Sequence, residues 1–145
     1  MSTLAPLAFA AELSDYAKAH RPIIVGLAGA GQMGTDIVVQ IAQMPGLKIG
    51  AISEVRPGAA RDAALLAGHR ADDIQAARNA THIDQVIERG QIAVTDDLNA
   101  LTRAGQIDVV IDATGNPNIG TQFALDAIQA GKHVEMLNVE ADITI

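Results

Sequence analysis

The chain has 145 residues, 49% of them apolar, with 10 Lys and Arg against 17 Asp and Glu for a formal charge of −7. That length suits one domain with one sizeable core, and a long-range field of this sign repels nucleic acid and anionic membrane surfaces. There is no cysteine and only 2% of residues are aromatic, which excludes disulfides, thiolate metal sites and cysteine nucleophiles and argues against an aromatic platform for stacking bases.

Residues 1–20 read as a short helical arm, with Leu7, Ala10, Ala11, Leu13 and Ala17 available for one face and His20-Arg21-Pro22 ending it. The apolar residues 4–11 have no basic leader, contain Pro6 and soon meet Glu12 and Asp15, unlike a signal peptide or a membrane span. A cytoplasmic location is therefore expected.

Residues 23–27 form an apolar run that passes into Gly29-Ala30-Gly31-Gln32-Met33-Gly34 and then into Ile37, Val38, Ile41 and Met44 at helical spacing. Strand, glycine loop and helix in that order make the dinucleotide-binding fingerprint. Gly29 permits the tight turn, Gly31 lets a pyrophosphate approach bare backbone, and Gly34 lets the helix pack on the strand. The N–H groups of Gln32 and Met33 open the helix whose positive dipole end faces the phosphates.

Pro45-Gly46 interrupts the pattern, and residues 47–53 read as the second strand. Glu54 follows about twenty residues after the last glycine, where a carboxylate accepts from ribose hydroxyls and favours NAD, whereas Ser53 and Arg56 suit the 2′-phosphate of NADP. The cofactor is accordingly NAD or NADP, with the choice open. Arg61, on the following helix, reads as a solvated side chain.

Residues 57–91 are longer than a minimal crossover needs and are expected to hold two or three helices. One spans about residues 58–66, and another is capped by Thr81 with Asp84 reaching back and stopped by Gly90. The stretch 68–73 between them reads as a polar surface excursion. His69, Asp72, Asp73 and His82 carry metal-type side chains in no structural zinc spacing, and no metal is expected.

Residues 92–95 are a third strand, Asp96 or Asp97 caps the next helix, Gly105 closes it, and residues 107–111 are a fourth strand. This ends in Asp112-Ala113-Thr114-Gly115-Asn116-Pro117. Strand carboxyl ends line the ligand crevice of an open parallel sheet, so Thr114, Gly115 and Asn116 are expected near the nicotinamide half of the cofactor. Residues 119–130 form the next helix, Gly131 stops it, and residues 133–139 form a fifth strand.

The runs RPIIVGLAGAGQMGTDIV and DVVIDATGNPNIGTQFALDAIQAGKHVEMLNVEADITI resemble the N-terminal NAD(P)-binding domain of homoserine-dehydrogenase-like oxidoreductases over residues 21–145. The resemblance is nearest to the branch with SAF-type C-terminal regions that includes 1-deoxy-D-xylulose 5-phosphate reductoisomerase-like enzymes. It implies a small polar keto or hydroxy substrate. In true homoserine dehydrogenases an Asn-Lys pair ends the fifth strand; here Asn138 is kept and Val139 stands at the lysine position, leaving Glu140 as the candidate acid, base or ligand. The resembling enzymes continue into substrate-binding segments. The resemblance thus implies that these 145 residues lack the substrate domain, bind dinucleotide with negligible turnover alone, and self-associate through apolar surface left uncovered. The alternative from another class is a stand-alone, non-catalytic NAD(H)-sensing module.

The fold expected from all this is a doubly wound α/β domain (Rossmann fold) of five mainly parallel strands in the order 3-2-1-4-5, with the cofactor between the first and fourth.

Overall fold

A computed structural model of the chain describes Glu12, residues 21–56 and residues 58–137. The expected arm over residues 1–20 lies outside the described residues apart from the exposed Glu12, and so do Asn138, Val139 and Glu140.

The described chain runs β1 (Ile23–Ala28), α1 (Gln32–Ala42), β2 (Leu47–Ser53), α2 (Ala59–Leu66), a 3₁₀ turn, β3 (Ile74–Ala76), α3 (Ala80–Glu88), β4 (Ile92–Thr95), α4 (Leu98–Arg103), β5 (Val109–Asp112), α5 (Pro117–Gln129) and β6 (His133–Met136). The strands form one six-stranded sheet in the order β3-β4-β2-β1-β5-β6, and every neighbouring pair is parallel. It is a doubly wound α/β sheet. The chain extends the sheet to one side of β1 with β2 to β4 and returns to the other side with β5, so strand order reverses between β1 and β5.

Both faces of the sheet are covered. Val25 and Leu27 of β1 join Ile49 and Ile52 of β2 beneath Val38 and Ile41 of α1 and Ala60, Ala63 and Ala64 of α2. Ile24 and Ala28, the alternate residues, face the other way, into a cluster with Ile83 and Val86 of α3, Leu101 of α4 and Phe123 and Ala127 of α5. Alternation sends successive side chains to opposite faces, so a strand buried on both must be apolar throughout. The helices between supply the two layers.

Several expectations need correction. The crossover over residues 57–91 holds a strand besides its helices: after the polar stretch 68–73, Ile74, Gln75 and Ala76 pair with Ile92, Ala93 and Val94 at the sheet edge. The order expected for five strands survives with this sixth added outside β4. Thr81 does not cap α3; Asn79 does, its side chain accepting from the N–H of His82 at 2.8 Å. Asp84 turns away to accept from the N–H groups of Gly105 and Gln106 at 3.1 and 2.8 Å, tying α3 to the loop after α4. Of the two carboxylates before α4, Asp97 is the cap. The fourth expected strand begins at Val109 rather than residue 107, and the following helix begins at Pro117 rather than residue 119, because Asn116 caps it and proline suits its first turn. The last strand is assigned to Met136, and residues 138 and 139 of its expected span lie outside the description.

Candidate functional site: a cleft at the reversal of strand order

The carboxyl ends of β1, β2, β4 and β5 meet along one edge. The N–H of Gly29 donates to the carbonyl of Ser53 at 2.8 Å, that of Glu54 to Thr95 at 2.9 Å, and that of Ala113 to Ala28 at 2.8 Å. Gly29 has φ +97°, which disfavours any side chain, and a β-carbon there would stand 2.6 Å from the carbonyl oxygen of Ala113 and 3.0 Å from the nitrogen of Thr114. The loop after β1 and the loop after β5 therefore touch through bare backbone.

Gly34, in the first turn of α1, is buried, and a β-carbon there would strike the carbonyl oxygen of Gly29. Gly31 is the opposite case: a β-carbon would meet only the guanidinium of Arg56, at 3.7 Å. The turn is closed under Gly34 and open over Gly31. No side chain caps α1, whose cap position is Gly31, whereas Asn79, Asp97 and Asn116 cap α3, α4 and α5. The first N–H groups of α1, those of Gln32 and Met33 among them, thus stand beside open space, an arrangement that favours an anion.

That space belongs to a cleft of about 360 Å³ lined by Gly29 and Gly31, by Ser53, Glu54, Val55 and Arg56 after β2, by Asp96 and Leu98 after β4, and by Ala113, Thr114, Asn116 and Ile119 after β5. Of the residues expected at a cofactor, Gly29, Gly31, Ser53, Glu54, Arg56, Thr114 and Asn116 line it. Gln32, Met33, Gly34 and Gly115 are not in its wall; Gly34 acts beneath it by close packing, and Met33 is 52% exposed. Sequence reasoning overlooked Val55, Leu98, Ala113 and Ile119 and took Asp96 only as a cap candidate. The rule that strand ends line the crevice would have found Asp96.

Glu54 is more engaged than a free ribose acceptor would be. Its Oε1 accepts from the N–H of Ala30 at 2.9 Å and from Nη2 of Arg56 at 3.0 Å, and its Oε2 accepts from the N–H of Arg56 at 3.0 Å. The carboxylate is 10% exposed and the guanidinium 61%. The hydrogen bond from the Arg56 side chain is the largest cause holding the Glu54 carboxyl at about 2, with the two backbone N–H groups adding to it and burial opposing. This side chain therefore staples the loop after β2 to the glycine loop. Because its folded pKa lies below the ordinary 4.5, the stabilisation is present above that value and lost as pH falls towards 2. Glu54→Gln is expected to cost roughly 1 kcal/mol near neutral pH, after screening by water at the half of the pair that is exposed. Thermal melts of both proteins should converge between about pH 4.5 and 2; a gap independent of pH would show that the charge is not what matters.

Behind the opposite wall, Asp112 is fully buried, and its Oδ1 accepts from the N–H and the hydroxyl of Thr114 at 2.9 and 2.7 Å. Asn116 Oδ1 accepts from the N–H groups of Asn118 and Ile119 at 3.0 and 3.1 Å. Its amide nitrogen remains to donate. Thr114, held by Asp112 at the end of β5, and Asn116, at the start of α5, are the polar side chains of this wall beside Ala113 and Ile119.

The family profile described as homoserine dehydrogenase, NAD binding domain, matches residues 29–143. The chain belongs to this family. A nicotinamide dinucleotide, NAD or NADP, is accordingly its cofactor class. Among solved structures, scyllo-inositol dehydrogenase from Lactobacillus casei, with bound NAD(H) and scyllo-inositol, superposes with a TM-score of 0.57 at 21% identity over 80% of this chain and 28% of that one. Myo-inositol dehydrogenase from the same organism, in complex with NAD(H) and myo-inositol, gives 0.56 at 19% over 79% and 28%. At such identities the likeness is one of fold, and the chain spans little more than a quarter of the length of those enzymes. A comparison with curated protein sequences finds no match. No helix among the described residues is long and apolar enough to cross a membrane.

Proposed function

We propose that this chain is the cofactor half of an NAD(P)-dependent oxidoreductase acting on a small polar keto or hydroxy compound, in the cytoplasm. The observation that carries the reading is the cleft itself: an uncapped helix start and the open face of Gly31 beside the strand ends where the sheet reverses. In this reading the pyrophosphate lies over Gly31 and the first turn of α1, the adenosine ribose beside Glu54 and Arg56, and the nicotinamide beside Thr114, Gly115 and Asn116. Bound there, the nicotinamide supplies hydride transfer, which is the cofactor's chemistry. The chain's own contribution is to orient it. Gly29 brings the loops together, Asp112 holds Thr114, and the amide of Asn116 is available to a polar group on the ring.

Inositol dehydrogenases, whose names carry small polyhydroxy compounds, fit a substrate of this class, and the sequence resemblance to the reductoisomerase-like branch suggests a phosphorylated one. We assign the acid, base or ligand role beside the nicotinamide to Asn138 and Glu140 on that resemblance, and the rest of the substrate wall to a further domain. A homo-oligomer remains part of the proposal.

The chain has no tryptophan and one tyrosine, so reduced nicotinamide can be followed by its own fluorescence against little protein background. Titration of the 145-residue chain with NADH and with NADPH is expected to give saturable enhancement at one site for at least one of them. No binding of either by folded protein would overturn the reading. Substrate class is then tested by adding 1-deoxy-D-xylulose 5-phosphate or an inositol to the saturated complex and watching for a further, saturable change.

A further inference from the structure

A second cleft, of about 540 Å³, adjoins the first along the loop that carries Glu54 and Arg56, and shares Glu54, Val55, Arg56 and Asp96 with it. Its wall holds three arginines from three separate elements: Arg56 after β2, Arg61 on α2, and Arg78 between β3 and α3. Ala60, Ala77 and Val94 are apolar groups in the same wall. In a chain of formal charge −7 with only ten Lys and Arg, three arginines against Glu54 and Asp96 give this wall a local excess of positive charge.

The carboxylates nearby do not cancel it. Glu54 is already matched by Arg56, with both its oxygens hydrogen-bonded, and Asp96 is the other acid in the wall. Neither Arg61 nor Arg78 is in an ion pair among the described residues. Arg61 reaches only the carbonyl of Ile74, at 3.4 Å, which leaves most of its donors unused.

Resting on the cofactor reading above, we infer that this arginine-walled cleft takes a ribose 2′-phosphate, so that the chain binds NADP(H) in preference to NAD(H), with Arg61 and Arg78 as the specificity-determining residues beside Arg56. A ligand whose pyrophosphate lies over Gly31 crosses the loop at residues 54–56 to enter this cleft, which is where its adenosine end would go. Alanine and valine side chains suit the base, and guanidinium groups suit a dianionic monoester by paired N–H donation. Glu54 by itself would repel that phosphate. Held by Ala30 and Arg56, it is turned to the glycine loop, and the two arginines without carboxylate partners outweigh it.

The test is a side-by-side titration of the 145-residue chain with NADPH, NADH, 2′,5′-ADP and 5′-AMP, repeated for Arg61→Ala/Arg78→Ala and for Arg103→Ala, an arginine on α4 outside the cleft. Circular dichroism checks the fold of each variant. NADPH should bind at least about ten-fold tighter than NADH, and 2′,5′-ADP tighter than 5′-AMP by a similar factor. The double variant should lose most of both ratios while NADH affinity stays within about three-fold, and Arg103→Ala should change neither. Equal binding of NADPH and NADH, or a ratio that survives the double variant, would overturn the inference and leave the cofactor reading standing. A ratio lost equally in Arg103→Ala would assign the preference to overall charge and overturn it too. Failure of every ligand to bind folded wild-type chain would remove the cofactor reading and this inference together.

Discussion

Gly31→Val is expected to weaken binding of reduced dinucleotide at least about ten-fold, or about 1.4 kcal/mol, while leaving the melting temperature nearly unchanged. The separation of the two effects follows from what surrounds the residue. A β-carbon at Gly31 meets nothing but the exposed guanidinium of Arg56 at 3.7 Å, so the side chain costs the folded protein little. It does fill the space over the first turn of α1, where the backbone N–H groups would otherwise approach a pyrophosphate. Fluorescence titration beside a thermal melt reads both quantities. Undiminished affinity in a folded variant would show that the dinucleotide does not lie over this turn.

Gly34→Ala should do the reverse and unsettle the fold itself. Three residues further on, in the first turn of α1, a β-carbon would run into the carbonyl oxygen of Gly29, a backbone atom that cannot rotate away. Gly29 is in turn pinned, with its N–H on the carbonyl of Ser53 and no room for a β-carbon beside the carbonyl of Ala113. Relief would require α1 to lift from Leu27 and Val38 to shift in the core beneath it. Overpacking of a buried site costs about 1–3 kcal/mol and more when backbone must move, so a loss of at least about 3 kcal/mol is expected. In a domain of this size that is a fall of roughly 10 °C or more in melting temperature. A melt within about 2 °C of wild type would mean that the helix packs less closely than described.

The contrast between these two glycines shows where sequence reading reaches its limit. Spacing put both in one motif and gave Gly31 to the pyrophosphate and Gly34 to helix packing, but not the atoms each one faces. The neighbours supply those: open space beside Arg56 for one, and for the other a carbonyl oxygen supplied from across the turn. Glu54 makes a similar case. Its place after β2 marked it as a ribose acceptor, but its hydrogen bond to Ala30 spans 24 residues and makes it a staple between two loops as well.

Local periodicity determined much of the chain. The apolar runs of β1, β2, β4 and β5, the glycine loop and the helical spacing of Val38 and Ile41 were legible because each is a burial pattern written within a few residues, and together they implied a doubly wound sheet with a dinucleotide crevice. The exchange of caps at α3 was decided by competition: Asn79 and Thr81 are both competent, and the one whose oxygen reached the free N–H of His82 in the packed helix prevailed. Ile74–Ala76 has no period of its own and is a strand only because β4 offers it an edge. Arg56, Arg61 and Arg78 stand far apart in sequence and carry no shared pattern; the sheet and the crossover that returns from β3 to β4 bring them to one cleft. Short-range burial is encoded residue by residue, whereas these long-range meetings exist only after the chain has folded and spent its conformational entropy.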